Sequence, residues 1–287
     1  MIRLNISKEV TIIRELLSIT QEELAKEIGV AYETINRWEN DKNEIEMNNV
    51  NKLYNYAFKK KVYINNIYEQ LYLEEYQAKE RKVLFHGCKK SGIAFPLDLG
   101  YSKVNNDFGV GFYLGETYNQ AASYIANGNS PFVYVFHLDT NELNITHFAV
   151  NREWMIAIAY FRGWLDEYKN NNYVKKIIAK VNNSDVIIAP IADNRMFDII
   201  SEFVRGEITD LQCEHALAAT NLGMQYVLKT TNSLERLEFI KVLYVSDLEK
   251  DKIIDQRLKM SNLSQDKVRV ARIEYRSKGK YIDEVLK

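Results

Sequence analysis

The chain has 287 residues, of which 27% are charged and 46% hydrophobic, and its net charge is −1. This composition suits a globular protein with room for two domains. It excludes a positive charge spread over the whole chain that would attract nucleic acid or an anionic membrane. The two cysteines, Cys88 and Cys213, lack paired metal-ligand spacing, so we expect free thiols, no disulfide framework and no metal site. Because no run of about 18 apolar residues occurs and the charged N-terminus lacks a signal-peptide pattern, we expect a cytoplasmic protein without membrane contact.

Residues 1–60 are predicted to form a small all-α domain. Thr20, with Glu23 three residues later, is typical of a capping box that opens a helix, and Gly29 supplies the left-handed residue that ends it. A further helix follows and carries Trp38 inward. Helix, tight glycine turn and helix together predict the helix-turn-helix plan.

Residues 19–25, 28–30 and 34–40 resemble the phage-repressor (XRE-like) type of helix-turn-helix domain. The resemblance implies that the third helix enters the major groove of DNA. The nucleic-acid-binding residues that it would present there are Tyr32, Thr34, Asn36 and Arg37. Asparagine amides and arginine guanidinium groups can read adenine and guanine edges.

The charge of residues 1–60 leaves a second interpretation of this domain open. It contains nine Lys or Arg against ten Asp or Glu, whereas attraction to phosphate supplies much of the affinity for DNA. The domain could instead serve dimerisation or hold a neutralising partner protein. We therefore expect DNA or a protein partner here, with a homodimer as a further possibility.

Residues 61–82 are predicted to form a connector between two domains. Apolar and tyrosine side chains are mixed along it, and neither Pro nor Gly occurs. A linking helix is favoured over a loose tether, so the two domains should be semi-rigidly coupled.

Residues 83–287 are predicted to form a second domain of mixed α and β structure. Short runs rich in β-branched and aromatic residues predict strands at 83–85, 112–114, 132–136, 186–189, 226–228 and 242–245. Helical periodicity between them predicts helices at 121–126, 154–165, 196–204 and 211–222. The charged tail after residue 247 receives no predicted structure.

Three segments of the second domain resemble the strand motifs of the ADP-ribosyltransferase superfamily. They are His86-Gly87, the run from Gly109 to Tyr113, and Met224-Gln225-Tyr226-Val227. The resemblance implies an α+β domain built as a split β-sandwich with helices, and it implies NAD as the cofactor. The third motif carries glutamine where most catalysts of the superfamily have glutamate, which makes this a His-Tyr-Gln variant.

The resemblance also implies a role for each matched residue. His86 would bond the adenine-side ribose, and Gly87 would offer backbone groups to the nicotinamide amide. Tyr113 would stack on the nicotinamide ring, while Gly111 and Phe112 belong to the same cofactor-binding segment. Glycines in such a segment allow the backbone to approach a ligand closely.

Gln225 is the predicted catalytic residue with the least familiar chemistry. Transfer from NAD passes through an oxocarbenium-like state, as glycoside hydrolysis does, so positive charge must be stabilised. A glutamine amide can hydrogen-bond a ribose hydroxyl but supplies no charge. Loss of a carboxylate about 4 Å away removes roughly 4 kcal/mol at an effective dielectric near 20, or about two to three decades in rate.

A substitute acid is expected near residues 189–195. This stretch resembles a segment of the bacterial ADP-ribosyltransferase-like family known as DUF3990, and that resemblance spans about residues 83–240. It implies that glutamine at position 225 is the normal residue of the family. Asp193 is the candidate acid, and Arg195 is a further site candidate; a surface ion pair between them is the alternative.

Two functions therefore compete. The first is an NAD-dependent ADP-ribosyltransferase or NAD glycohydrolase of a bacterial toxin, toxin–antitoxin or phage-defence type, acting on an unknown macromolecular acceptor or water. The second is a catalytically inactive transcriptional regulator that senses NAD or ADP-ribose.

Overall fold

The computed structural model describes residues 4–42, 45–78, 80–89 and 92–287, and for Tyr101 only the backbone. Its N-terminal domain consists of four helices, α1 Ser7–Leu16, α2 Gln21–Ile28, α3 Tyr32–Glu39 and α4 Met47–Lys59. The predicted capping box is present, with Thr20 and Glu23 bonding each other's backbone amides, and Gly29 ends α2 at φ 72°. Local sequence signals therefore set the helix-turn-helix boundaries.

The fifth helix, α5 Ile64–Tyr76, occupies the predicted connector. Ile64, Asn65 and Tyr68 are buried, and the helix joins the apolar core that the N-terminal helices share with the second domain. The connector is thus a packed helix, as its composition predicts.

The second domain is built on one mixed sheet of seven strands in the order β4-β5-β6-β2-β1-β3-β7. The strands are β1 Arg81–Gly87, β2 Phe112–Gly115, β3 Phe132–Asp139, β4 Ile145–His147, β5 Val186–Pro190, β6 Met224–Leu228 and β7 Leu237–Tyr244. All six predicted strands are present. Strand β4, which pairs in parallel with β5, was missed because three residues carry too little pattern.

In the described part of the second domain, eight further helices follow: α6 Tyr118–Ile125, α7 Arg152–Phe161, α8 Asn172–Asn182, α9 Asn194–Val204, α10 Asp210–Ala218, α11 Thr231–Glu235, α12 Asp247–Glu274 and α13 Ile282–Val285. The four predicted helices correspond to α6, α7, α9 and α10. The charged tail, which received no prediction, forms the 28-residue helix α12. A small helical domain followed by a domain of mixed α and β structure is therefore confirmed, whereas the split β-sandwich of an ADP-ribosyltransferase stays a prediction.

The pairing between β1 and β2 is short, and this place in the sheet is called the narrow junction below. These strands share one register pair, Phe85 with Gly115, whereas β1 and β3 share seven. Helices cover one sheet face, and the core on the opposite face takes in Ile93 and Leu97 from the loop after β1. The predicted site residues lie on both sides of this narrow junction.

One contact between the two domains lies at the first turn of α12. Asn51 and Asn55 of α4 accept hydrogen bonds from the amides of Asp247 and Leu248, at 3.1 Å each. Two helix amides that no residue of α12 can satisfy are therefore capped by the N-terminal domain.

A buried polar network lies next to this cap. Glu249 accepts hydrogen bonds from the Tyr118 hydroxyl at 2.9 Å and from Asn65 Nδ2 at 3.0 Å. Burial raises the pKa of Glu249 to about 7, although these hydrogen bonds oppose the shift. Helices α5, α6 and α12 are thereby joined through one carboxyl group.

Among the described residues, no helix combines the length and the apolar character needed to cross a lipid bilayer.

Candidate functional site

The three predicted motifs lie on adjacent strands. The His86 segment is on β1, the Tyr113 segment on β2 and the Gln225 segment on β6, and β2 lies between the other two. Gly115 is paired with Phe85 on one side and with Gln225 on the other. Segments up to 139 residues apart in sequence, counted from 86 to 225, are thus brought side by side by the sheet.

The side chain of His86 on β1 bonds to the backbone of β2. Its Nδ1 lies 2.8 Å from the carbonyl oxygen of Tyr113, and its ring stacks on Phe112 at 4.5 Å. Because a carbonyl only accepts, Nδ1 carries the proton, and burial lowers the pKa of His86, which favours the neutral ring. Nε2 makes no hydrogen bond to the part of the chain that the structure describes, so it is an acceptor left for a donor outside it.

Gly87 is required by packing in this structure. A Cβ atom at this position would collide with the backbone oxygen of Ala121 in α6, and one at Gly111 would lie 2.7 Å from Val227 of β6. Both glycines therefore let neighbouring elements approach the strands. Their role toward NAD stays a prediction.

Tyr113 holds the loop that precedes β2. Its hydroxyl donates to the carbonyl oxygen of Gly109 at 2.8 Å and accepts from the amide of Phe108 at 3.1 Å. Burial raises the pKa of Tyr113, so the phenol stays protonated. Strand alternation places Tyr113 and Gln225 on one face of the sheet and His86, stacked on Phe112, on the other. The predicted site residues share a junction but not a single face.

The Gln225 carboxamide is held in one orientation. Nε2 donates to Asp107 Oδ2 at 3.1 Å and to the carbonyl oxygen of Pro190 at 3.1 Å. Oε1 accepts no hydrogen bond from any residue that the structure describes, and it is not among the buried atoms that lack a partner. The amide therefore turns both N–H groups inward and presents its oxygen as an acceptor.

Asp107 and Arg162 were not predicted as site residues. Arg162 Nη2, at the end of α7, donates to Asp107 Oδ1 at 2.7 Å, and its guanidinium lies 3.7 Å from the Phe197 ring centre. Burial raises the pKa of Asp107, while the hydrogen bonds from Arg162 and Gln225 oppose that shift. Asp107 lies two residues before the run from Gly109 to Tyr113, but nothing in sequence links it to residues 55 and 118 positions away.

Lys229 is a third residue that the sequence analysis did not predict. It follows β6, and its Nζ donates to the carbonyl oxygens of Phe108 and Val110 at 2.5 Å each. Burial lowers the pKa of Lys229 to about 8. With the Tyr113 hydroxyl, this ammonium fixes the loop that carries Asp107.

Asp193 lies at the N-cap of α9, where its carboxylate accepts from the amide of Met196 at 2.9 Å. Arg195 donates to Thr220 Oγ1 and to the carbonyl oxygen of Ser261. The carboxylate that contacts Gln225 is that of Asp107. The acid that the sequence places near residue 193 is thus engaged in capping a helix.

The predicted nucleic-acid-binding residues lie on α3. Tyr32 and Arg37 are exposed, whereas Thr34 and Asn36 are half-buried. Asn36 Nδ2 lies 3.4 Å from Gln21 Oε1, so its amide also links α3 to α2. The second domain contacts α1 and α4, which leaves the outer face of α3 open.

Comparison with protein-family models decides the family. Residues 82–239 match the model described as "Protein of unknown function (DUF3990)", which covers more than half of the 287 residues, and residues 12–56 match a helix-turn-helix model. The chain belongs to the DUF3990 family. No curated protein and no solved structure matches it.

The match places the whole polar cluster inside the DUF3990 domain. Asp107, Arg162, Gln225 and Lys229 all fall within residues 82–239, together with His86. The helix-turn-helix match is separate from it and corresponds to most of α1 through α4. This DUF3990 protein is therefore a helix-turn-helix domain followed by a domain whose activity has to be argued from its site.

Proposed function

We propose that this protein is an NAD-dependent ADP-ribosyltransferase, or an NAD glycohydrolase on the same scaffold, of a bacterial toxin or phage-defence type. The observation that carries the proposal is that the three motifs lie side by side on β1, β2 and β6. Gly115 of β2 is paired with a residue of β1 and with a residue of β6. NAD is the substrate, and the site is placed where β1 and β2 share a single register pair.

The residues at this junction suit sugar hydroxyls. His86 Nε2 and Gln225 Oε1 are both acceptors, one on each face, and a ribose hydroxyl is a donor. Asp107 adds negative charge behind the Gln225 amide, although Arg162 offsets part of it. Breaking the bond between nicotinamide and ribose develops positive charge on the sugar, which a nearby carboxylate and polarised amide would stabilise.

A first prediction concerns NAD turnover. His86→Ala removes one acceptor for the ligand, a loss of about 1–2 kcal/mol, and should lower turnover about tenfold or more. The measurement is incubation with labelled NAD, separation of protein, DNA and RNA fractions, and quantification of free nicotinamide. His147→Ala, at an exposed histidine on β4, is the matched control and should behave as the unsubstituted protein. Equal turnover in the His86 and His147 variants would contradict the assigned site.

The helix-turn-helix domain is proposed to bind DNA through α3. Replacing Asn36 and Arg37 together by alanine should weaken specific binding by about 1–3 kcal/mol for each base that these side chains read. Gel shifts or fluorescence anisotropy at fixed salt would measure this, with Lys259→Ala on α12 as the control for removal of one exposed cation. DNA binding that survives the double substitution would remove the assignment and favour a protein partner.

A second candidate function is a regulator that binds NAD or ADP-ribose without turnover. The observation in its favour is the domain junction, where Asn51 and Asn55 cap α12 and Glu249 joins three helices. Such a junction could transmit ligand binding to α3. NAD binding without label transfer or nicotinamide release, combined with a change in DNA affinity, would establish this alternative.

A further inference from the structure

Within the polar cluster, Asp107 and Arg162 have a function toward Gln225. We propose that Asp107 is a positioning residue that locks the Gln225 carboxamide with Oε1 outward, and that Arg162 is the counter-ion that keeps Asp107 in place. The identity of the ligand that meets Oε1, a ribose hydroxyl of NAD, rests on the proposed function. The locked amide does not.

The lock follows from the hydrogen-bonding capacity of an amide. Asp107 Oδ2 and the Pro190 carbonyl oxygen both lie 3.1 Å from Nε2, and both are acceptors. Rotating the amide by half a turn would set Oε1 against these two oxygens and leave both N–H groups without these partners. Only one of the two orientations is therefore compatible with the surroundings.

Asp107 is itself held from several directions. Arg162 pairs with its second oxygen, and the two side chains are only 26% and 10% exposed. The loop just after Asp107 is fastened by the Tyr113 hydroxyl and by Lys229. A carboxylate held this firmly can set the orientation of the Gln225 amide, which a mobile surface charge could not do.

The orientation determines what the site accepts. An outward Oε1 with both N–H groups committed inward recognises donors only, and it repels a carbonyl, carboxylate or phosphate oxygen at the same place. The negative charge of Asp107, applied through the N–H bond, also increases the electron density on Oε1. The chemical class that fits is a hydroxyl group, as on a sugar ring.

The test compares Asp107→Ala with Asp107→Asn, the full chain being used throughout. Asparagine offers one oxygen to the two donors Gln225 Nε2 and Arg162 Nη2, whereas alanine offers none, so the asparagine variant should restore part of what alanine loses. The first measurement is hydrogen exchange at the Gln225 side-chain amide in ligand-free, ¹⁵N-glutamine-labelled protein, assigned by the signal that Gln225→Ala removes. The amide proton that Asp107 accepts should exchange at least about tenfold faster in Asp107→Ala.

The second measurement is NAD binding and turnover by the same variants. Turnover should fall about tenfold or more in Asp107→Ala and recover in part in Asp107→Asn, with melting temperatures compared to separate positioning from loss of fold. Amide exchange within twofold of the unsubstituted protein in Asp107→Ala would overturn the inference, whatever NAD does. If the amide is protected and then released as expected but the unsubstituted protein does not bind NAD, the lock stands and the proposed function fails.

Discussion

Replacing Lys241 by methionine is expected to lower the free energy of unfolding by about 3–5 kcal/mol, because it leaves a buried carboxylate without its counter-charge. Lys241 Nζ on β7 lies 2.6 Å from Glu9 Oε1 on α1, and the Glu9 side chain is 1% exposed while that of Lys241 is 19% exposed. The same ammonium lies 4.5 Å from the ring centre of Tyr68. One cation thus contacts the N-terminal domain, the connector helix and the sheet.

Urea unfolding followed by circular dichroism would measure this effect. Methionine keeps most of the length and apolar surface of the lysine stem, so the comparison isolates the charge. The double variant Glu9→Gln with Lys241→Met removes both charges and should recover most of the stability, since a buried ion pair can often be replaced by neutral groups. A single Lys241→Met variant that unfolds within about 1 kcal/mol of the unsubstituted protein would mean that this pair does not fasten the domains.

Replacing Gln225 by glutamate is expected to destabilise the protein by about 3 kcal/mol at pH 8 and by much less at pH 5. The new carboxylate would face Asp107 Oδ2 and the Pro190 oxygen, which now accept from Nε2 at 3.1 Å. Burial already raises the pKa of Asp107, and a second acid at this distance raises the pKa of the pair further. The folded variant then retains a proton that the unfolded chain releases above about pH 4.3, so stability falls as pH rises.

Unfolding free energies of this variant at pH 5 and pH 8 provide the measurement. The exchange variant Asp107→Asn with Gln225→Glu restores one donor between the two side chains and the original net charge, so it should regain at least half of the stability at pH 8. Unchanged stability of Gln225→Glu at both pH values would show that residues 107 and 225 are not in contact. Higher NAD turnover in the exchange variant would show that charge at position 225 limits the reaction.

The cost of glutamate here gives a physical reason for glutamine. A glutamate at position 225 would meet Asp107, whereas a glutamine uses Asp107 as its acceptor. Under the proposed function, the charge that glutamine lacks would come from Asp107, a side chain that the motif comparison does not examine. The sequence predicts an acid at Asp193, which caps α9 in the structure, and its role toward NAD stays a prediction.

Secondary structure was the most predictable part of the molecule. The capping box at Thr20, the left-handed Gly29 and the inward Trp38 each depend on residues within one or two turns, so the helix-turn-helix domain follows from local rules. Six of the seven strands were recognisable by composition. Helix α12 was not, because its exposed and buried residues form no strong single-sided pattern and its cap comes from α4.

By itself the sequence determined the two-domain order, most elements and the three motifs, since periodicity and capping are encoded by residues close together along the chain. Only the tertiary structure decided which groups meet. Asp107 and Gln225 are 118 residues apart, and Glu9 and Lys241 lie in different domains. Contacts of this kind depend on sheet register and helix packing. Because many distant residues together determine these, no local sequence pattern predicts the contacts.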